Sequence, residues 1–286
     1  MNKHITILDG AQGTLLWQKA EQHGIPKASV WTYNLSHPEI IAEVCREYAE
    51  AGSEIICSNT FGANRFTVER ESTASVSEVV AAAIRTAKEA LEGTGVKVAL
   101  DIGPLPVLTE PYGDMEEDEA EEIFAEIVEA GTAAGADCIF LETFLQLEML
   151  LAAVRAAKRT ALPVFCSMSF DARGRTLFGV GVEEMLEELE PMDVTAVGMN
   201  CSLGPDLALP VIREFAEKTA LPLFFKPNAG MPVTAADGSV SYTVTAEEFA
   251  GQAAIALQTG RIEYLGGCCG TDPGFIRCLK AAAESL

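Results

Sequence analysis

Three cysteines carry the most legible chemistry in this chain. Cys201 closes Gly198-Met199-Asn200-Cys201, and Cys268 and Cys269 are neighbours in Gly266-Gly267-Cys268-Cys269-Gly270. Each group follows an apolar run of strand character and is bordered by glycine. Adjacent residues on a strand face opposite ways, so a Cys-Cys pair can serve one metal only where the backbone turns. Glycine, which tolerates positive φ and close approach, supplies such a turn. Three thiolates with a fourth position open are the pattern of a zinc that does chemistry, whereas a bracing zinc takes all four ligands from its chain. Cys57 also closes a predicted strand and is the candidate for such a fourth ligand. The plainer alternative makes the three cysteines buried or redox-active thiols. All three histidines, His4, His23 and His37, precede residue 40, so mixed Cys/His finger spacing is absent. The long span from Cys201 to Cys268 excludes a compact zinc ribbon.

A substrate thiol that fills the fourth position on such a zinc loses its proton, and its sulfur remains nucleophilic in so electron-rich a centre. Other residues suggest what the rest of that substrate looks like. Asp9-Gly10-Ala11-Gln12-Gly13-Thr14 reads as a strand end followed by a helix start, whose free backbone N–H groups can hold an anion. By itself this segment reads more readily as a tight β-to-α turn. A carboxylate suits those amides, while a phosphate would want basic residues beside them, and the segment has none. Glu142, in Phe140-Leu141-Glu142-Thr143-Phe144, ends an apolar strand and is a natural partner for an α-ammonium group. Asn228, in Lys226-Pro227-Asn228-Ala229-Gly230, offers a carbonyl acceptor. Each alone is as readily structural. Together they describe a site for an amino acid that carries a thiol.

The elements that must position these residues follow an alternating pattern. Strands are predicted at Ile5–Leu8, Glu54–Cys57, Val96–Asp101, Asp137–Leu141, Pro163–Met168, Val194–Met199, Pro222–Lys226 and Ile262–Leu265. Helical periodicity lies between them, for example over Glu39–Ala51, Ser77–Leu91, Asp118–Ala134, Leu147–Thr160, Glu183–Glu190, Leu207–Lys218 and Ala246–Gln258. Gly52, Gly135 and Gly260 close three of these helices in the manner of left-handed caps. Eight strand–helix units without a linker predict an α/β fold, a (β/α)8 barrel built as a single domain over residues 1–286. The rival is an open doubly wound sheet. Closure is preferred because Asp9, Cys201 and Cys268 all sit at strand C-terminal ends, and only a barrel brings its first and last strands to one mouth.

The formal net charge of −22 argues against nucleic acid and anionic membrane surfaces as partners. No apolar run is long enough to span a bilayer, and the N-terminus lacks the features of a signal peptide, so a cytoplasmic location is expected. Eight cysteines in a chain of this kind are expected to be free, with Cys45, Cys138, Cys166 and Cys278 acting as buried apolar groups. Gly113–Glu119 and Asp171–Gly181 read as mouth loops.

Seven ordered segments resemble the homocysteine-binding domain of zinc-dependent homocysteine S-methyltransferases. They are Leu8–Thr14, Ser58-Asn59-Thr60-Phe61-Gly62-Ala63-Asn64, Asp101-Ile102-Gly103-Pro104, Glu142-Thr143-Phe144, Gly198–Pro205, Pro227–Gly230 and Gly266–Thr271. The resemblance implies zinc on Cys201, Cys268 and Cys269, with homocysteine held by Asp9, Gly13, Thr14, Glu142 and Asn228. The wording Asn200-Cys201-Ser202-Leu203-Gly204-Pro205 is most similar to the first module of cobalamin-dependent methionine synthase. That similarity implies a methyl group delivered from methylcobalamin on a separate corrinoid protein, since the chain has no corrinoid-binding segment of its own. The alternatives are a stand-alone enzyme that uses S-methylmethionine, S-adenosylmethionine or a methylated amine, and a homocysteine-binding subunit without catalysis.

Overall fold

The computed structural model describes residues 4–234 and 240–285. Ten strands are present among them: β1 (Thr6–Ile7), β2 (Ile55–Cys57), β3 (Lys97–Ile102), β4 (Cys138–Phe144), β5 (Val164–Met168), β6 (Ala196–Asn200), β7 (Leu223–Lys226), β8 (Val233–Thr234), β9 (Val240–Ser241) and β10 (Ile262–Leu265). Eight of them form one parallel sheet in the order β1-β10-β7-β6-β5-β4-β3-β2. The two ends meet through a parallel bridge between Leu8 and Ile55 and a 2.7 Å hydrogen bond from Glu54 N to the Ile7 carbonyl. The sheet is therefore closed, and the fold is a (β/α)8 barrel.

Every predicted strand lies within the barrel, and the predicted helices hold to within a few residues at their ends. The helices Pro38–Ala51, Val76–Ala90 and Glu117–Ala133 bury apolar stripes at helical spacing, for example Ile40, Ile41, Val44 and Tyr48 in the first. Gly52, Gly135 and Gly260 take φ of +104°, +96° and +67°, as left-handed helix ends require. Two features differ from expectation. β4 runs on to Phe144, which places Glu142 inside the strand. The segment after Asn228 forms an antiparallel β8–β9 hairpin that no hydrophobic alternation announced.

Strand alternation sorts side chains into two cores. Residues such as Val98, Leu100 and Ile102 of β3 pack outward against the helices. The barrel interior is a separate cluster that includes Ile55, Ala99, Phe140, Phe165 and Phe224, with Phe140 and Phe165 stacked at 4.4 Å. One step of two residues further along, the same alternation carries Cys57, Asp101, Glu142, Asn200 and Lys226 inward. The interior is thus apolar in the middle and ionisable at its C-terminal end. All eight cysteines are free, and Cys278 is only half-buried, because its helix Pro273–Glu284 packs on the outside of the barrel. No described helix is long and apolar enough to cross a membrane.

Candidate active site

Cys201 follows Asn200, whose side chain points inward, so a straight strand would aim the thiol outward. The chain instead turns left-handed: Cys201 has φ +62° and Ser202 φ +58°. Such a conformation costs on the order of 1–3 kcal/mol per non-glycine residue and persists only where neighbours enforce it. Here the enforcing bonds are Cys201 N to the Lys226 carbonyl at 3.1 Å and Leu203 N to the Cys201 carbonyl at 2.7 Å. The result swings the thiol into the mouth.

Cys268 and Cys269 lie beyond the end of β10, in a turn rather than on the strand. Gly267 N donates to the Asp9 carbonyl at 3.0 Å, Cys268 N to the Pro227 carbonyl at 2.8 Å, and Ala229 N to the Cys269 carbonyl at 2.9 Å. Thr271 Oγ1 closes the turn with a 2.7 Å bond to the Cys268 carbonyl. Gly270 completes it at φ +81°, where a Cβ would lie 2.3 Å from the Tyr242 ring. With both thiols turned to one side, the Sγ atoms of Cys201, Cys268 and Cys269 lie within 4.8 Å of one another, and Cys201 and Cys269 are 3.7 Å apart. Zinc–sulfur bonds of about 2.3 Å at tetrahedral angles place two sulfurs about 3.8 Å apart. Cys201 and Cys269 have that spacing already.

Charge within the trio also suits a cation. Cys269 is lowered to about 3, because Cys201 and Cys268 both hydrogen-bond to it and Tyr242 adds a third bond. The bond with Cys268 pulls Cys201 down, but the bond to Cys269 and burial outweigh it and push Cys201 up to about 11. Cys268 is held well above the ordinary thiol range, first by its bonds to Cys201 and Cys269. Hydrogen bonding among the three thiols therefore favours the thiolate at Cys269 and the thiol at Cys201 and Cys268. A divalent cation is what would ionise the other two.

Asn200, fully buried, links this centre to the neighbouring strands. Its Nδ2 donates to Thr143 Oγ1 at 2.7 Å and reaches Cys268 Sγ at 3.8 Å. Its Oδ1 accepts from Thr143 N at 2.8 Å and from Ser167 Oγ at 2.9 Å.

The trio borders a cavity of about 350 Å³. Gln12, Gly13 and Thr14 form another wall, at the start of the helix Gln12–Gln22, and their N–H groups have no intrahelical acceptor. No side chain caps that helix. Glu142 and Asp101 line the floor together with Cys57 and Lys226. Lys226 is 2 % exposed, yet its Nζ lies 2.8 Å from Glu142 Oε2, 3.3 Å from Asp9 Oδ1 and 3.7 Å from Cys57 Sγ. Burial would push its ammonium down, but the surrounding Cys57, Glu142, Asp9 and Asp101 hold it well above the ordinary lysine range. Burial raises Glu142, and Lys226 offsets part of that rise.

Of the residues singled out from sequence, Cys201, Cys268, Cys269, Gly13, Thr14 and Glu142 meet at this cavity. Asp9 stands just behind its wall, where Oδ2 accepts from Cys57 N at 2.9 Å and from Gln12 Nε2 at 3.0 Å. Asn228 is buried under the turn, outside the cavity lining, with its Oδ1 lacking a hydrogen-bond partner. Cys57 is among the floor residues with Lys226 and stands apart from the thiol trio, so the group of cysteines is three rather than four. Sequence reasoning missed Lys226 and Tyr242. The Asp9–Thr14 segment has no basic residue of its own, and Lys226 reaches the cavity from β7.

The closed barrel and the mouth-centred thiol trio define a (β/α)8 protein with a candidate metal centre at the C-terminal ends of its strands. A family model described as "Homocysteine S-methyltransferase" matches residues 6–283, and the chain belongs to that family of methyltransferases. It is 29% identical to the methionine synthases of Mycobacterium tuberculosis (strain ATCC 25618 / H37Rv) and Mycobacterium leprae (strain TN), over 306 and 300 aligned residues. Those alignments cover 100% and 98% of this chain but 25% and 24% of the relatives, so the chain spans about a quarter of their length. The barrel superposes on the Escherichia coli homocysteine methyltransferase MmuM. Against the oxidized form the TM-score is 0.79 at 23% identity, covering 97% of this chain and 95% of that one. Against the metallated form it is 0.78 at 24% identity, covering 98% and 96%.

Proposed function

We propose that residues 1–286 act as a single homocysteine-binding barrel that transfers a methyl group to the thiol of homocysteine, giving methionine. Zinc would be held by Cys201, Cys268 and Cys269, and the methyl would come from methylcobalamin on a separate corrinoid protein. The observation that carries this reading is the 3.7 Å sulfur spacing beside a pocket that offers both amides and carboxylates. Zinc bound by the three thiols would supply the positive charge that keeps a substrate thiol deprotonated at neutral pH. The chain's own residues do the rest. Free N–H groups at Gln12, Gly13 and Thr14 receive the amino acid's carboxylate, favoured there by the helix dipole. Asp9, Glu142 and Asn228 fix the floor and the turn against which the substrate lies. In the transfer a sulfur–carbon bond forms, the donor's bond to the methyl breaks, and the thiol proton leaves to solvent. Holding the thiolate in line with the methyl contributes through orientation, so no side-chain base is needed.

The similarity to the first module of methionine synthase, and the names of the mycobacterial relatives, support the corrinoid donor. The abundance of free thiols fits a reducing, cytoplasmic setting. Zinc-edge X-ray absorption with and without homocysteine tests the metal. A change from three sulfurs and one light atom to four sulfurs supports the reading, and four protein sulfurs throughout overturn it. Turnover is then compared with methylcobalamin, S-methylmethionine, S-adenosylmethionine and a methylated amine as donors. Faster transfer from one of the latter three replaces the corrinoid, and binding without turnover on any donor leaves a homocysteine-binding subunit.

A further inference from the structure

The pocket floor holds more ionisable groups than an amino acid's ammonium requires, and they are not equivalent. Lys226 Nζ donates to Glu142 Oε2 at 2.8 Å and to Cys57 Sγ at 3.7 Å, and forms an ion pair with Asp9 Oδ1 at 3.3 Å. Its charge is thus turned towards the floor's own groups. It behaves as a built-in counter-ion for the two acids that the family resemblance assigns to the substrate. Asp101 is different. It is 4 % exposed and its Oδ1 has no hydrogen-bond partner, as Asp9 Oδ1 has none, but Asp101 lines the cavity and Asp9 does not. Its backbone is fixed: Asp101 N donates to Thr60 Oγ1 at 3.2 Å, and its carbonyl accepts from Thr60 Oγ1 at 2.6 Å.

We infer that Asp101 is the specificity-determining residue that recognises the substrate's α-ammonium group, with Glu142 sharing it from the opposite side. This rests on the reading of an aminothiol substrate given above. A carboxylate oxygen of Asp101 and one of Glu142 lie within 4.8 Å of each other. An ammonium donating two bonds of about 2.8 Å at its tetrahedral angle needs acceptors about 4.6 Å apart. A separation within 4.8 Å admits such a bridge. Charge agrees with geometry. The floor sets three acids, Asp9, Glu142 and Asp101, beside the single cation Lys226, so an added cation would favour the ionised form of Asp101. Burial, together with the charge of Glu142, pushes Asp101 well above the usual carboxylate range, the direction an unpaired buried acid takes. A metal ion on Cys57, Asp101 and Glu142 fits less well, because the Lys226 ammonium already stands 2.8 Å from Glu142 and 3.7 Å from Cys57 Sγ.

The test uses calorimetric titration of the zinc-loaded protein with homocysteine and with 4-sulfanylbutanoate, which has the same thiol and carboxylate but no amino group. Wild type, Asp101→Asn and Asp101→Ser are compared. The expected result is a homocysteine affinity lowered by about tenfold to a hundredfold in both variants, the range for a charged hydrogen bond. Affinity for 4-sulfanylbutanoate should stay within about twofold, which also shows that the variants are folded. Equal losses for the two ligands, or no loss for either, overturn the role of Asp101 while leaving the aminothiol reading intact. A wild type that binds 4-sulfanylbutanoate as tightly as homocysteine overturns it too. A wild type that binds no homocysteine overturns the substrate reading itself and this inference with it. A second metal per chain that disappears in Asp101→Asn would make the floor a metal site instead.

Discussion

Asn200 and Thr143 hold each other by two hydrogen bonds. Thr143 N donates to Asn200 Oδ1 at 2.8 Å, and Asn200 Nδ2 donates to Thr143 Oγ1 at 2.7 Å. Thr143 has φ +68°, and Cys201, the residue after Asn200, has φ +62°. The pair thus pins two unfavourable backbone turns on neighbouring sides of the mouth. Asn200→Ala removes both bonds and leaves the part-buried Thr143 N without its acceptor. The expected cost is about 2–4 kcal/mol of stability, read from urea unfolding. A larger relative loss in zinc affinity is expected, because the turn that aims Cys201 is released. Unchanged zinc affinity in a destabilised variant would show that the Cys201 turn does not depend on Asn200.

Cys201→Ser tests the trio more directly. A serine hydroxyl is a poor zinc ligand, so metal retention after dialysis against a mild chelator should fall by at least about tenfold. Cys57→Ser should leave zinc content unchanged, because Cys57 belongs to the Lys226 cluster. Metal lost from the Cys57 variant and kept by the Cys201 variant would reverse the assignment of the two groups.

The barrel and the thiol trio were legible in the sequence because both rest on local signals. Apolar runs of strand length alternate with helical stripes, and glycine brackets the cysteines whose backbone must turn. Lys226 was legible in principle as well. In Phe224-Phe225-Lys226, a period of two puts the lysine on the face of Phe224, which lies inside the barrel. What sequence spacing could not show is that Asp9, Glu142 and Cys57, each on a different strand or turn, converge on it. Asp101 was visible as the end of a strand, but that its Oδ1 lacks a partner shows only in the packed floor. Tyr242 offered no signal at all: it reaches Cys269 from beyond a hairpin that only tertiary packing defines.

Lys226→Met separates charge balance from packing. Methionine keeps the length of the buried stem over the Phe140 ring, 5.6 Å from the ammonium in the native chain, but leaves Glu142 and Asp9 without their counter-ion. Removing one partner of a buried pair costs about 3–5 kcal/mol near neutral pH. The pH dependence has a definite sign. Glu142 is already raised by burial in spite of Lys226, so removing Lys226 raises it further. A raised carboxylate favours folding at low pH and loses that contribution as pH rises through its folded value. The deficit relative to wild type should therefore be largest at about pH 8 and shrink towards about pH 5, measured by thermal unfolding. A deficit constant across that range would mean the lysine acts through packing alone.

Gly13→Ala offers a separation of stability from binding at a single methyl group. Gly13 sits in the first turn of the helix Gln12–Gln22, without positive φ, and a Cβ there meets no atom within 4 Å. Alanine should therefore fit without strain and stabilise the fold by about 0.4–1 kcal/mol, through lower entropy of the unfolded chain. The open space is the cavity wall where the free N–H groups are presented. A methyl there stands between those donors and an incoming carboxylate, so homocysteine affinity should fall while zinc content stays the same. Gly10 is the opposite case: its added Cβ would lie 2.6 Å from Thr271 Oγ1 and 2.9 Å from the Tyr48 hydroxyl. Because Thr271 Oγ1 also holds the Cys268 carbonyl at 2.7 Å, Gly10→Ala should lower stability and zinc affinity together. Calorimetric binding and thermal unfolding of the two variants give the contrast. If Gly13→Ala binds homocysteine as wild type does, the helix start is not the carboxylate site, whatever the metal is doing.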